Sequence, residues 1–135
     1  MIYDKVQETI KNILMENFNL TNEQILAENE VPNNYENFFV RFVFNYGNLN
    51  EIGNEDFEEI TTLTLEVYER RILEETKIDK FITELRKVSM SLPVINDQND
   101  NSRAKIIQIT INRNDQENWK SFNLIFTIRT IWENK

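Results

Sequence analysis

Apolar residues fall at Ile2, Val6, Ile10, Ile13, Leu14 and Phe18, at intervals of three and four. That spacing places them on one stripe of an amphipathic helix over 2–18. The segment from Leu20 to Val31 is less regular: Thr21 with Gln24 three positions on forms a capping-box pattern, and Pro32 limits any helix, so 25–30 reads as a short strand or a single turn. From Glu36 to Tyr46 the period becomes two. Phe38, Val40, Phe42, Phe44 and Tyr46 share one side, and Phe39, Arg41, Val43 and Asn45 the other, which predicts a strand. Gly47 to Glu55 is rich in Asn and Gly and reads as a loop or hairpin tip.

Alternation returns over 60–72, with Leu63, Leu65 and Val67 opposed to Thr62, Thr64, Glu66, Tyr68 and Arg70. A second helical stripe follows: Ile78, Phe81, Ile82, Leu85, Val88, Ser89 and Leu92, with Thr76 and Asp79 placed to cap it and Pro93 to stop it. Asn96 to Arg103 reads as a mobile polar connection. Over 104–112, Ile107, Ile109 and Ile111 oppose Ile106, Gln108 and Thr110. A turn at 113–118 leads into a long strand from Trp119 to Trp132, with Phe122, Leu124, Phe126, Ile128 and Trp132 on one side, completing a hairpin. The order helix, short extended piece, two strands, helix, two strands predicts a single α+β domain over 1–135. Its mainly antiparallel sheet has about four strands and carries both helices on one face.

Composition narrows the chemistry. The 135 residues include no His, no Cys and two Gly. The usual general base, soft metal ligand and thiol nucleophile are therefore missing, as are the glycine loops that cradle phosphate. No serine has a histidine partner, so a Ser–His triad is excluded. An enzyme is not expected, nor a cofactor. Absence of Cys fits a reducing compartment. No run of about 18 apolar residues is present, and the acidic opening Met1-Ile2-Tyr3-Asp4 argues against a signal peptide, so no membrane partner is expected.

Charge is divided unevenly. Residues 1–70 hold four basic and 14 acidic side chains, a balance of −10. Residues 71–135 hold 11 and nine, a balance of +2, and the two give the net −8. Tight nucleic-acid binding needs the opposite sign. The acid-rich half either solvates the protein or meets a basic patch on another subunit. Glu55, Asp56, Glu58 and Glu59 read as a solvated acidic loop in preference to a Mg²⁺ or Ca²⁺ site, because the spaced ligands and turn glycine of a calcium loop are missing; Asp97 and Asp100 read the same way. The pair Arg70–Arg71 suits carboxylates or a sheet edge better than phosphate. Phe38, Phe39, Phe42, Phe44 and Tyr46 suit a core better than a base-stacking platform. Trp119 and Trp132 divide equally between core and interface.

The sequence of elements resembles the small tail terminator, or tail completion, proteins of long-tailed phages. The resemblance runs through VPNNY (31–35), FFVRFVFNY (38–46), ITTLTLEVYERR (60–71), KIDKFITELRKVSMSL (77–92), IIQITINR (106–113) and FNLIFTIRTIW (122–132). It implies a virion protein assembled in the host cytoplasm. Six copies would form a homo-oligomeric ring on the last ring of the tail tube protein, stopping its growth and docking it to the head connector protein. DNA would pass through the lumen without tight binding, and no catalytic residue, cofactor or metal is implied. Other head–tail connectors (stopper or adaptor proteins) share this size, and a small acidic inhibitor mimicking nucleic acid shares the composition. Within the resemblance, Glu55, Asp56, Glu58 and Glu59 would line the lumen or reach a neighbour, and Arg70, Arg71, Trp119 and Trp132 are further candidates for subunit contacts.

Overall fold

The computed structural model describes residues 2–33, 36–53, 56–71 and 76–133, with side chains described outside 45–53. Helix α1 (Ile2–Phe18) is followed by a 3-10 turn at Asn22–Gln24 and by strands β1 (Ile25–Leu26), β2 (Phe38–Gly53) and β3 (Asp56–Arg70). Helix α2 (Ile78–Met90) precedes β4 (Ile95–Asp97), β5 (Ser102–Arg113) and β6 (Trp119–Trp132). The chain is α+β, with six strands in one sheet ordered β1-β2-β3-β6-β5-β4. The pattern-based expectation of about four strands left out β4, while β1 answers the short strand offered as one reading of 25–30. β1 pairs parallel to β2 at only Val40 and Arg41, and β4 covers β5 only at Ser102–Ala104. Two or three residues hold too little alternation to register as a period.

Strands β3 and β6 form the spine. Their antiparallel register runs without interruption from Phe57 opposite Trp132 to Arg70 opposite Trp119. Because side chains alternate sides, this register puts Leu63, Leu65 and Val67 on the same face as Leu124, Phe126 and Ile128, and all six are fully buried. Val40 and Phe42 of β2 and Ala104, Ile106 and Ile109 of β5 extend that face. Both helices pack on it. The α1 stripe Ile2, Val6, Ile10 and Leu14 and the α2 stripe Ile78, Ile82 and Leu85 belong to the same buried cluster. Burying each such side chain contributes about 1.5–3 kcal/mol. Phe81 joins the two helices and β2 through edge-to-face contacts with Phe18 (4.9 Å) and Phe38 (5.0 Å).

Local chemistry sets the element ends. Asn19, with φ of 58°, turns the chain out of α1, and the Leu20 N–H donates back to the Leu14 carbonyl. The Thr21–Gln24 pattern does form a turn: Gln24 Oε1 accepts from the Thr21 N–H and the Gln24 N–H donates to the Thr21 carbonyl. The start of α2 departs from expectation. Thr76 and Asp79 do not make the side-chain cap; the cap position is Lys77, whose N–H donates to Glu69 Oε2 at 2.8 Å. Glu69 is 1% exposed at the end of β3. A carboxylate from the sheet therefore serves the positive end of α2, and it is better desolvated than Thr76 would be.

Three further expectations change. Of the expected loop or hairpin tip over 47–55, residues 47–53 form one arm of a hairpin: they continue β2, and Asn48 to Gly53 pair with Ile60 to Asp56 after register shifts between Asn45 and Asn48 and between Glu51 and Gly53, while 54–55 lie outside the described residues. Once each shift absorbs one residue, the backbone bonds of the hairpin override the loop-like composition. The polar stretch 96–103 is a tight hairpin between β4 and β5. Asp97 Oδ1 accepts from the Asn99 N–H, Asp100 bonds Ser102, and Asn101 takes a positive φ of 53°. In β5 a register shift between Ile106 and Gln108 makes Ile107 an extra residue. Ile106 and Ile109 thus share the buried face, while Ile107 is 46% exposed, contrary to simple alternation.

Substituting Glu69→Ala orphans the Lys77 N–H and should cost about 1–3 kcal/mol in urea unfolding, whereas Glu69→Gln, which keeps an acceptor oxygen, should recover most of it.

Candidate interaction surface

The face of the sheet turned away from the helices has its own chemistry. Near the start of β2, Phe39, Tyr68 and Leu26 are buried in a second small cluster, with Trp119 packed against it. Phe39 stacks on Tyr68 at 4.7 Å and meets Trp119 edge-on at 5.2 Å. Two guanidinium groups close over these rings: Arg70 lies 4.3 Å from the Trp119 centroid and Arg41 5.5 Å from that of Tyr68. Each is also held by polar partners. Arg41 Nε donates to Glu66 at 2.8 Å, and Arg70 donates to Asn37 Oδ1 and the Glu36 carbonyl. Burial alone would lower the Arg41 pKa, but its hydrogen bonds to Glu66 and Tyr68 outweigh that and raise it. Arg71 donates to the Gln116 carbonyl and lies 3.5 Å from Asp115. The Asp115 carboxyl is held below its ordinary range, first by the Ser121 N–H and then by Arg113 and Arg71.

Arg70 and Trp119, far apart in sequence, are therefore one assembly, while Arg71 engages the adjoining turn through Asp115 and the Gln116 carbonyl. Arg71 reaches a carboxylate, Asp115, whereas Arg70 is held by an amide, a carbonyl and a ring; β3 lies inside the sheet, so neither stands at a sheet edge. Tyr68 and Phe39 complete the group. Sequence reading placed Phe39 with the aromatic core run; parity along β2 was the signal that it faces the other way.

The acidic candidates sit at the opposite end of the spine. Thirteen steps along β6 at roughly 3.3 Å separate Trp119 from Trp132 by about 40 Å. Asp56, Glu58 and Glu59 are strand residues of β3, correcting the loop assignment, and Glu55 lies outside the described residues. Parity then divides the carboxylates. Glu58 faces the open side, where its Oε2 accepts from both Nη2 and Nε of Arg129, at 2.7 and 3.0 Å. Glu59 turns to the helix side opposite Thr130, with Oε1 buried and without a hydrogen-bond partner among the described residues. Burial pushes its carboxyl above the ordinary 4.5. Trp132 packs at the margin of the main core, 6.0 Å from the Tyr3 ring.

The described residues contain no group of three or more acidic side chains placed to hold a metal ion. Asp97, 2% exposed, is instead a strut between α1 and β4, 3.7 Å from Lys5. Burial raises its pKa, but the Asn99 N–H and the Lys5 charge overcome this and lower it. No helix of the described residues is long and apolar enough to cross a membrane.

Removing the guanidinium with Arg70→Ala should cost about 0.5–1 kcal/mol and shift Trp119 emission to the red, read in a Trp132→Phe background. For Glu59 the pH dependence follows from a raised folded-state pKa: the folded chain holds this proton more tightly than the unfolded one. Its contribution is therefore most favourable below 4.5 and declines as pH rises through that value and the folded value. Glu59→Gln should accordingly be more stable than the parent at neutral pH, with the difference closing at about pH 3, measured by chemical denaturation across pH. A scan of protein-family models and a search of curated proteins give no match for the chain.

Proposed function

We propose that this chain is a structural assembly protein that resembles a phage tail terminator, forming a ring that caps the tail tube and docks it to the head connector. The observation that carries this reading is the dissimilarity of the two ends of the β3–β6 spine. One end bears aromatic rings under guanidinium groups, from Arg70, Trp119, Tyr68 and Arg41; the other bears Asp56 and the Glu58–Arg129 pair. A ring built head to tail needs two different patches on each subunit, and a two-fold dimer does not. Rings and guanidinium groups are the residue types that dominate contact energies. The net charge of −8 also suits a lumen that passes DNA without holding it.

The α+β frame, with helices on one face only, supports the reading by leaving a rigid sheet face available for contacts. The residues carried to the two ends are suited to fit and charge pairing, and the chain's lack of His and Cys removes the commonest routes to nucleophilic or general-base chemistry.

The test is to add the purified chain to growing tail tubes and image them. Tubes should stop lengthening and carry a ring of extra density at one end. The double reversal Asp56→Lys, Glu58→Lys should abolish capping while the circular dichroism spectrum is retained. Tubes that grow unchecked, with no bound chain, would remove the proposal.

A further inference from the structure

Each helix has a flank turned toward one edge of the sheet, and the two edges are opposite. In α1, Lys5 Nζ reaches Asp97 of β4 and donates to the Asn96 carbonyl. The other flank, with Asp4, Gln7, Glu8, Lys11 and Met15, lines a groove of about 480 Å³ beside Asn22, in the turn that leads into β1. That groove therefore faces the β1–β2 edge. In α2, Phe81 meets Phe18 and Phe38 of β2. Asp79, Arg86 and Met90, at i, i+7 and i+11, share the flank turned the other way, toward the β5–β4 edge. Asp79 and Arg86 are exposed there, and Met90 is 43% exposed.

The charges on the two flanks match in kind and spacing. Asp4 and Lys11 of α1 are seven residues apart, as are Asp79 and Arg86 of α2, a rise of about 10.5 Å in each case. Acid precedes base in both. Laid antiparallel, Arg86 comes opposite Asp4, with Glu8 one turn on, while Asp79 comes opposite Lys11. Laid parallel, like charges would meet. Glu8, Lys11, Asp79 and Arg86 make no side-chain hydrogen bond or ion pair among the described residues, so their charges are not committed within the fold. Direction agrees with the charges. α1 starts at the Trp132 end, where Tyr3 lies 6.0 Å from that ring, and finishes beside Phe81. α2 starts at Glu69, at the other end of β3, and the chain leaving it gives its Leu92 carbonyl to Lys105 of β5. The helices thus run opposite ways within one chain. Copies set side by side in the same orientation bring α2 of one antiparallel to α1 of the next.

We propose that α2 of a second copy of this chain docks its Asp79–Arg86–Met90 flank in the α1 groove, with Arg86 meeting Asp4 and Glu8 and Asp79 meeting Lys11. Met15 in the groove and Met90 on the incoming helix add adaptable apolar contact. The contact is heterologous: each subunit offers α2 on one side and receives on α1 at the other, as a closed ring requires. It supplies the subunit contact for the assembly role above and rests on that reading.

The chain has no Cys, so single thiols report position directly. Full-length chains carrying Gln7→Cys on α1 and, separately, Thr83→Cys on α2 are mixed and treated with a short bifunctional maleimide. Cross-linked dimer is expected from the mixture and from neither chain alone. By sedimentation equilibrium, Glu8→Arg and Arg86→Glu should each weaken self-association about tenfold or more, with unchanged thermal midpoints. The chain carrying both changes should recover the association of the parent. Loss in the double variant as well, or in neither single variant, would overturn the proposal. So would cross-linking of either thiol chain with itself, or a parent chain that stays monomeric. Tube capping by the parent is measured independently. Capping without the α1–α2 cross-link removes this contact and keeps the assembly role, whereas absence of capping removes that role.

Discussion

The register between β3 and β6 governs the rest of the molecule. It is the longest unbroken pairing in the sheet and lies at its centre, so its parity decides which side chains face the helices. A slip of β6 by one residue against β3 would turn Leu124, Phe126 and Ile128 outward and bring Asn123, Ile125 and Thr127 under α1 and α2. The apolar layer thus fixes the register, and the register in turn fixes everything beyond the layer. Glu69 reaches α2 because of that parity, and Arg70 meets Trp119 because the two residues are partners in the ladder.

With both helices on one face, the other face has to be satisfied by its own side chains. It uses cross-strand pairs of opposite charge, Arg41 with Glu66 and Glu58 with Arg129, and rings covered by guanidinium groups. Such pairs contribute modestly to stability when exposed. Their larger effect is on charge: a semi-polar surface with an aromatic end and, at the other end, Asp56 and the Glu58–Arg129 pair. That surface can serve contact with other macromolecules with little reorganisation, because the strands that carry it are held from behind by the core.

Strong periodicity made some elements legible. The α1 and α2 stripes and the alternation of β3 and β6 extend over many residues, so the apolar pattern alone places Leu63, Leu65, Leu124 and Phe126 in the core and marks both helices as one-sided. Composition misled where backbone bonding prevailed. Residues 47–53 have the Asn and Gly of a loop yet continue a hairpin, and 96–103 looks like a mobile linker yet forms a turn fixed by Asp97, Asp100 and Asn101. Strict alternation also failed at Ile107, since a one-residue bulge reverses parity and a sequence pattern has no marker for it.

The candidate residues divide along the same line. Sequence alone determined which chemistries were available, because residue types are countable: abundant carboxylates, few glycines, no imidazole, no thiol. It also determined the class of fold, since periods of 3.6 and two are properties of the chain. Only the tertiary structure decided that Arg70, Trp119, Tyr68 and Phe39 form one group, that Glu58 and Glu59 face opposite ways, and that β1 and β4 cover only short lengths of β2 and β5. Each of these depends on which strand lies beside which, and pairing between distant segments is set by burial of the whole apolar layer and by no local pattern.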